Sequence, residues 1–401
     1  MAKEEQYSSF TFGSLEMRDV FRQSSRYVMV NHGAYGLSPQ PVMEKKFELI
    51  KEQESQPDIW FRVNMMKYYM ESVKIAANII GAHVDDTFIL NNATEGTNCV
   101  LKSLDFGKDG EILMNSHSYL AVKNTAEEME STSGIRTRYV PIKFPIADEQ
   151  EIVNLYESYL DQYPNVKIAI MDHITSPTAL KLPVEKIVEI CRQRDVLTLI
   201  DGAHVPGQLQ LDIKKINPDF YVGNLHKWYY TFRSCGLLWV SPKHKNQIRP
   251  LVTSNYSDLS MHHRFCYWGT RDTSSQFTLA TAHQFYNDVG GLEAITEYNS
   301  SLVTWAQSML CDALGTKPLE IPSSMRAPNM AVLHLPEQPG KALCGNELIE
   351  VFLEKYNGMT VGFLDVMGEV VLRLSANIYN CKEDYYKLRD ALVDYFSISK
   401  S

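Results

Sequence analysis

Short apolar runs alternate with helical patterns through the middle of the chain, and no other feature restricts its fold as strongly. Between two of these runs, Pro183–Asp195 is predicted to be a helix, because Val184, Ile187, Val188 and Cys191 recur at helical spacing. Strand, helix and strand in this order predict a mostly parallel sheet, and uninterrupted apolar strands indicate helices on both of its faces. The predicted strands are Thr87–Leu90, Ile112–Met114, Lys167–Met171, Leu197–Ile200, Phe220–Val222 and Leu237–Val240.

The strand pattern fades after about residue 270, which divides the chain into unequal parts. Beyond it, Ser274–Val289 is a predicted helix, and Asn329–Leu335 and Glu369–Leu374 are predicted strands. A chain of 401 residues suits a large domain with a smaller one, because single hydrophobic cores rarely grow beyond roughly 300 residues. We therefore predict three parts: an N-terminal segment that packs on the small domain and the site, 1–40, a large domain, 41–270, and a small α+β domain, 271–401.

Charge and cysteine usage exclude several classes of function. The formal net charge of −9 gives no indication of binding to nucleic acid or to an anionic membrane. No apolar run approaches the ~20 residues of a membrane helix, and the N-terminus lacks a signal-peptide pattern. The seven cysteines are scattered without a C-x-x-C pair, so we expect neither a disulfide framework nor a metal site. Free thiols of this kind suit a reducing compartment, so we expect a cytoplasmic location.

Polar residues follow five of the predicted strands. In a parallel sheet the carboxyl ends of the strands share one edge, and ligands bind there. Polar caps scattered at random would not accumulate at a single edge, so we interpret the five segments as one binding site. They are Asn91–Thr97, Asn115–Tyr119, Asp172–Pro177, Asp201–His204 and Gly223–Trp228.

Asp201 and Lys227 are the most informative pair at this edge. Asp201 ends one predicted strand, and Lys227 follows the next one along the chain. Enzymes that use pyridoxal 5'-phosphate (PLP) need a lysine amine to hold the cofactor as a Schiff base and a carboxylate beside its pyridine nitrogen. The alternative is a surface lysine and an aspartate that caps a helix, but the full strings LIDGAH and DFYVGNLHKW favour the cofactor.

Seven motifs, in order along the chain, resemble one enzyme family, and the match runs from about Asn31 to Tyr379. The chain resembles the class V aminotransferase-like PLP enzymes of fold type I, and within them the branch of isopenicillin N epimerases, cysteine desulfhydrases and hercynylcysteine sulfoxide lyases. The resemblance implies an α/β fold with a mostly parallel seven-stranded sheet, helices on both faces, a small C-terminal domain and a homodimer. The motifs are NHGAYG, NATEGTN, DHITSPT, IDGAHVPG, NLHKW, WGTRD and RLSANIYN.

The resemblance also implies roles for residues on the cofactor side. Lys227 corresponds to the Schiff-base lysine and Cα base, Asp201 to the partner of the pyridine nitrogen, and His204 to a catalytic contact of the ring hydroxyl. Thr270 corresponds to a residue that reaches the phosphate in the neighbouring subunit. A helix start attracts anions through its free N–H groups, which suits a phosphate after the first strand. The further predicted cofactor contacts are Thr94, Glu95, Gly96, Thr175, Asn224 and His226.

Substrate recognition is expected around Arg373, which lies on an apolar predicted strand. A buried arginine needs a partner, and a substrate carboxylate matches the two donors of a guanidinium; the alternative is a structural ion pair. The resemblance places Asn31 and Gly33 at the same end. Either His117 or Tyr119 should stack on the cofactor ring, and Tyr119 is also a candidate catalytic residue, although it could simply pack at the rim.

Three positions depart from the family pattern. Ala179 stands where glycine is frequent, and Phe232 and Ser234 stand where proline and glycine are frequent. These departures concern the shape of two loops and leave the cofactor residues intact. Cys344, just before a predicted helix start near Gly345, is the candidate for a reactive thiol, although a helix start would also hold it in place.

The fate of the Cα carbanion separates the possible reactions. We expect β-elimination that cleaves the carbon–sulfur bond of cysteine or of an S-substituted cysteine. The alternatives are epimerisation, which needs a second acid–base residue, and desulfuration through Cys344, whereas Cys235 is expected to be a small buried residue. An alternative of another class is a cofactor-free binding scaffold, which the intact Asp201, His226 and Lys227 disfavour. Four aromatic residues could line a substrate pocket or pack a dimer interface: Trp60, Phe61, Tyr256 and Trp268.

Overall fold

A seven-stranded sheet forms the centre of the protein in a computed structural model that describes residues 10–22, 27–338 and 342–398. The strand order is β1-β7-β6-β5-β4-β2-β3, and β7 runs antiparallel to both of its neighbours while the other pairs are parallel. The predicted mostly parallel sheet is therefore confirmed. The strands are β1 (Thr87–Leu90), β2 (Glu111–Asn115), β3 (Arg136–Val140), β4 (Val166–Asp172), β5 (Leu197–Gly202), β6 (Phe220–Asn224) and β7 (Gly236–Val240).

Helices cover both faces of this sheet and follow the apolar spacing of the sequence. In the helix predicted at Pro183–Asp195, the four residues of the predicted face are all buried. The helices are α1 (Leu15–Val20), α2 (His32–Tyr35), α3 (Gln40–Ser55), α4 (Pro57–Ile59), α5 (Met65–Ile79), α6 (Ala93–Leu101), α7 (Leu120–Ser133), α8 (Glu149–Gln162), α9 (Val184–Arg192), α10 (Ile213–Ile216), α11 (Leu225–Trp228), α12 (Met261–Cys266), α13 (Leu279–Asp288), α14 (Gly291–Leu314), α15 (Gly345–Lys355) and α16 (Lys382–Tyr395). Shorter 3-10 or π segments are Trp60–Asn64, Val84–Asp86, Pro242–His244, Gln276–Thr278 and Ser323–Met325.

A second, three-stranded antiparallel sheet lies in the C-terminal part, with the order β8-β10-β9. Its strands are β8 (Met330–His334), β9 (Gly362–Val366) and β10 (Glu369–Ser375). A separate hydrophobic cluster forms around it and includes Val28 and Val30 from the N-terminal segment. The backbone N–H of Ser375 donates to the carbonyl of Val30 over 2.7 Å, so this segment is joined to the small sheet. The predicted boundaries at residues 40 and 270 stay a prediction.

The five strands with polar caps all run in the same direction. Strands β2, β4, β5 and β6 are parallel neighbours, and β1 is parallel to β6 because both are antiparallel to β7. Their carboxyl ends therefore meet at one edge of the sheet, as the sequence predicts. Over the described ranges, no helix is both long and apolar enough to cross a membrane.

Candidate active site

Lys227 lies on the one-turn helix α11, directly after β6. Its Nζ atom is 3.2 Å from Nε2 of His204. Burial lowers the pKa of Lys227 from 10.5 to about 8; the charge of Arg373 acts in the same direction, and Asp201 opposes it. A substantial fraction of the amine is therefore neutral near physiological pH, as a nucleophile or a base must be.

His204 is held between Lys227 and Trp228, and the partner on each side defines its tautomer. The indole Nε1–H of Trp228 donates to Nδ1 of His204 over 3.4 Å. Burial lowers the pKa of His204 well below 6.5, so the ring is neutral. An indole can only donate, so Nδ1 is the acceptor and the single ring proton lies on Nε2, which faces the amine. That Nε2–H is a donor at the position where the sequence predicts a contact with the ring hydroxyl.

Asp201 is the penultimate residue of β5, is almost fully buried, and its charge acts on the Lys227 amine. Its Oδ1 accepts from the backbone N–H of Ala203 over 2.9 Å, and no donor among the residues that the structure describes reaches Oδ2. Burial raises the pKa of Asp201, while the Ala203 hydrogen bond and Lys227 oppose this rise. Buried polar atoms normally have a partner. The free Oδ2 fits the protonated nitrogen of a pyridine ring, so the residues present suit PLP.

The start of α6 carries the expected features of a phosphate site. Oδ1 of Asn92 accepts from the N–H of Glu95, and Oδ1 of Asn224 accepts from the N–H of Ala93, both over 2.9 Å. The N–H of Thr94 between them has no partner within the described ranges and is available to an anion. The Glu95 carboxylate itself accepts from the N–H of Asn91 and so helps to close the helix start.

Three further predicted cofactor residues differ in whether they have a free hydrogen-bonding group that could contact the cofactor. Nδ1 of His226 lies 2.8 Å from the carbonyl of Cys235, and Nε2 has no partner in the described part of the chain. A Cβ atom at Gly96 would lie 2.6 Å from Val222, so this glycine lets α6 pack closely on β6. The hydroxyl of Thr175 is bonded to neighbouring groups of its own turn, at 2.6 and 2.9 Å, and its contact with the cofactor stays a prediction.

The positions of His117 and Tyr119 do not decide which of the two stacks on the cofactor ring. His117 is buried, with Nε2 2.8 Å from the carbonyl of Ile142 and its ring 5.2 Å from that of Phe144. Tyr119 is 44% exposed just before α7, and its electrostatic interaction with Arg373 places it towards the substrate end. Stacking by either side chain stays a prediction.

Arg373 lies on β10 and is only 4% exposed. Its Nη1 donates to the carbonyl and hydroxyl oxygens of Ser176 over 2.6 and 3.1 Å, and Nη2 donates to Oδ1 of Asn31 over 2.9 Å. Burial lowers its pKa to about 10. Within the described ranges no carboxylate pairs with it and its Nε is without a partner, which disfavours the alternative of a structural ion pair. A buried cation of this kind suits the carboxylate of a substrate.

The segment from Asn31 to Gly36 packs against the turn that carries Lys227. Nε2 of His32 is 2.5 Å from the carbonyl oxygen of Lys227, and Nδ1 is 2.9 Å from the hydroxyl of Tyr379. Burial lowers the pKa of His32 to about 3, so it acts as a neutral hydrogen-bonding group. His32 received no role from the sequence, although it lies within the NHGAYG motif.

Replacing Gly36 by alanine should loosen this packing. Gly36 has φ = 72°, and an added Cβ would lie 2.0 Å from the carbonyl oxygen of His226. Gly134 is a control for the positive φ, because it has φ = 74° and nothing within 4 Å of an added Cβ; its ψ of 6° is left-handed helical, whereas the ψ of 161° at Gly36 lies in a region that glycine alone adopts readily. Gly134→Ala should cost about 1–2 kcal/mol of stability from backbone strain, and Gly36→Ala about 1–3 kcal/mol more from its stronger strain and the contact together. Urea unfolding of the two variants measures the difference; equal losses would contradict the contact.

The shifted pKa of Lys227 predicts how the stability of the cofactor-free protein depends on pH. Below about pH 8 the folded protein holds a proton on a buried amine that the unfolded chain holds up to pH 10.5. The free energy of unfolding should therefore rise between pH 8 and 10.5, and Lys227→Met should lack this rise. At pH 7 the variant should be more stable by about 1–3 kcal/mol. Urea unfolding of both proteins between pH 7 and 10.5 checks this prediction. Parallel curves of the free energy of unfolding against pH would refute it.

Other residues singled out in the sequence take structural positions. Ala179 has φ = 51°, which explains why glycine is suited to this position. Cys235 is buried as expected, and Cys344 is exposed at the N-terminus of α15, which begins at Gly345 as predicted. Trp60 is 1% exposed and packs against Tyr68 and Phe277 in the large core, so it lines no open pocket. Of the other aromatic residues, Phe61 and Tyr256 pack against Tyr267, and Trp268 lies under Arg271.

Curated relatives match this chain over almost its whole length. The hercynylcysteine sulfoxide lyase of Schizosaccharomyces pombe is 26% identical over 96% of this chain and 98% of its own. The L-cysteine desulfhydrase of Arabidopsis thaliana is 28% identical, with 91% and 87% covered. The isopenicillin N epimerase of Streptomyces clavuligerus is 25% identical, with 91% and 94% covered.

A solved structure and a family profile agree with these relatives. A C-DES mutant with glycine covalently linked to its PLP cofactor superimposes with a TM-score of 0.78 at 18% identity, over 94% of this chain and 99% of its own. This likeness shows the fold. The profile of the aminotransferase class-V family matches residues 34–388. The chain therefore belongs to the aminotransferase class-V family of PLP-dependent enzymes.

Proposed function

We propose that this enzyme cleaves the carbon–sulfur bond of cysteine or of an S-substituted cysteine by β-elimination. The observation that carries the proposal is a buried Arg373 without an anionic partner in the described part of the chain, on the same site as a partly neutral Lys227 amine. This arrangement suits an α-amino acid whose Cα–H bond is broken beside the lysine. The relatives named as a sulfoxide lyase and a cysteine desulfhydrase support sulfur as the leaving group.

Different residues bind the substrate and move the proton in this reaction. Arg373 binds the substrate carboxylate through its guanidinium, and Asn31 holds that guanidinium in place from one side. The Nζ atom of Lys227 removes the Cα proton, because its lowered pKa leaves part of the amine neutral. The bound cofactor supplies a sink for the electron pair that the proton leaves behind. Departure of the sulfur group from Cβ then yields an enamine, which hydrolyses to pyruvate and ammonia.

His204 and Asp201 control charge on either side of the amine. The Nε2–H of His204 can donate to Lys227 or to the ring hydroxyl, so it stabilises negative charge without itself releasing a proton. Asp201, through its free Oδ2, would hold the ring nitrogen of the bound cofactor protonated. Both groups are buried, which strengthens each interaction.

A panel of amino acids tests the proposal. Purified enzyme is incubated with cysteine, S-alkyl cysteines, a cysteine sulfoxide, serine and alanine, while pyruvate and the sulfur product are measured: sulfide, thiol or, from the sulfoxide, sulfenic acid. We expect pyruvate with an equal amount of the sulfur product from at least one cysteine derivative and none from alanine. Lys227→Ala serves as the blank. No pyruvate from any sulfur substrate would overturn the proposal.

Two alternatives give different products in the same assay. Epimerisation incorporates deuterium at Cα from heavy water without pyruvate, and the epimerase relative makes it the second candidate. Desulfuration yields alanine and a persulfide, and it requires the exposed Cys344, so Cys344→Ala should abolish it. A binding scaffold shows neither turnover nor the absorbance of a lysine-linked cofactor.

We also propose a homodimer in the cytoplasm. Thr270, expected to reach the phosphate of the neighbouring site, is exposed on the protein surface, and all seven cysteines are free thiols. Analytical ultracentrifugation measures the oligomeric state. If Thr270 contacts the cofactor across the dimer interface, Thr270→Ala should weaken cofactor binding. A monomer with full cofactor binding would contradict the shared site.

A further inference from the structure

Asp172 is a buried carboxyl group that the reaction outlined above does not use. It ends β4, is 3% exposed, and lies directly opposite Asp201 in the register of the parallel pair β4–β5. Residues in such a pair point to the same face of the sheet, on strands roughly 4.8 Å apart. The backbone N–H of His173 donates to the carbonyl of Asp201 over 2.8 Å, which fixes the two strand ends together.

The carboxyl group of Asp172 also holds the turn that carries both stacking candidates. Its Oδ2 accepts from Nδ2 of Asn115 and from the hydroxyl of Ser118, both over 2.9 Å. The backbone N–H of Tyr119 also acts as a hydrogen-bond donor to this carboxyl group and lowers the pKa of Asp172. Asp172 therefore connects the turn containing His117 and Tyr119 to the strand end that carries the partner of the ring nitrogen.

The charged and titratable groups around Asp172 come from three neighbouring elements. Asp201 faces it from β5, Tyr156 from α8 and Lys123 from α7, and Tyr119 precedes α7. Burial raises the pKa of Asp172 to about 7, and the charge of Asp201 contributes to the rise. The Lys123 amine donates to the carbonyl of Ser116 over 2.6 Å and forms no ion pair with Asp172 within the described ranges. In the part of the chain that the structure describes, neither acid forms a direct ion pair, although the charge of Lys227 acts on Asp201 and that of Lys123 acts on Asp172.

We propose that Asp172 is a positioning residue for the cofactor, a second acid that shares one proton with Asp201 and raises the proton affinity of the ring nitrogen. Two adjacent buried carboxyl groups cannot both ionise at low cost, so they hold one proton between them until a cation arrives. A protonated ring nitrogen is that cation, and it allows both groups to be ionised. Asp172 acts through Asp201, and this role is independent of which group leaves Cβ.

Two variants distinguish the acidity of Asp172 from its hydrogen bonds to the turn that contains Ser118. Asp172→Asn removes the acid and retains an oxygen that can accept from Asn115 and Ser118. Ser118→Ala is the matched control, because it removes one anchoring hydrogen bond and leaves both acids. If the asparagine variant does not fold, Asp172→Ser replaces it, since its hydroxyl is small and also accepts.

The cofactor-free protein gives the first measurement, which does not depend on activity. Asp172 has a folded pKa above its unfolded value of 3.8, so the unmodified protein loses stability as pH rises from about 4 to 7. Asp172→Asn should lack much of this loss. At pH 8 its unfolding equilibrium constant should be at least about tenfold smaller than that of the unmodified protein, and the two should converge near pH 4. Ser118→Ala should retain this loss of stability, with its midpoint moved slightly to higher pH, because the Ser118 hydrogen bond lowers the pKa of Asp172.

The cofactor-loaded protein gives the second measurement. Removing a neighbouring negative charge lowers the proton affinity of nearby cations. The pH midpoint at which the ring nitrogen of bound PLP loses its proton, followed by nitrogen NMR of labelled cofactor, should therefore fall by about one unit in Asp172→Asn, and by much less in Ser118→Ala. Parallel stability profiles together with an unchanged midpoint in Asp172→Asn would overturn the proposal.

Discussion

Replacing Lys227 by alanine should lower the rate of pyruvate formation by at least about 10³-fold, because one side chain holds the cofactor and also moves the Cα proton. The visible absorbance of the lysine-linked cofactor should disappear. Folding should be preserved, since removal of the amine also removes the cost of burying its charge. Steady-state kinetics and absorbance spectra of the purified variant measure both effects.

The control for this prediction is an exposed lysine that lies away from the site. Lys214, in the last turn of α10, is exposed, so Lys214→Ala should leave rate and spectrum unchanged. Added methylamine should restore part of the rate in Lys227→Ala, because it can replace the missing base. Full activity of Lys227→Ala, or an unchanged spectrum, would contradict the assignment of Lys227.

Replacing Arg373 by lysine should lower kcat/KM for amino-acid substrates by roughly 30-fold or more, which corresponds to about 2 kcal/mol of lost transition-state binding. A lysine keeps the charge but loses the planar pair of donors that matches a carboxylate. It also cannot bond to Ser176 and Asn31 at once in the geometry of the guanidinium. Steady-state kinetics on the best substrate of the panel measures the effect.

A substrate without a carboxylate separates binding from damage to the site. The decarboxylated analogue of the best substrate should react slowly with the unmodified enzyme, and at nearly the same rate with Arg373→Lys. An equal loss on both substrates would mean that Arg373 only supports the structure. The absorbance of the bound cofactor should be unchanged in the variant, because Arg373 is expected to bind the substrate and not PLP.

The strands of the large sheet were predictable because most of them are buried on both faces and therefore apolar throughout. β3 was missed, since Arg136–Val140 lies at the sheet edge and is mostly only partly buried, so its sequence RTRYV shows no apolar run. The antiparallel direction of β7 was also not evident, because an apolar run such as Gly236–Val240 carries no sign of direction. Helix α9 ended within a few residues of its predicted limits because its buried face repeats at helical spacing.

The site was predictable where its residues directly follow strands. Nζ of Lys227 lies 3.2 Å from Nε2 of His204, and its charge interacts with that of Asp201, because β5 and β6 are neighbours in the sheet. Contacts between distant segments could not be derived from spacing. The bonds from His32 to Lys227 and Tyr379, and the indole donor that fixes the tautomer of His204, depend on side-chain positions that only the folded chain defines.

The pairing of Val30 with Ser375 joins two segments that lie far apart along the chain. His32 contacts the Lys227 turn on one side and Tyr379 on the other. Contacts so far apart in sequence form late, after much of the chain has collapsed. The large sheet can form from residues 87–240, but the support of the catalytic lysine also needs the segment that contains Tyr379. Stable capture of the cofactor is therefore expected only after that segment has been made and has packed against the large sheet.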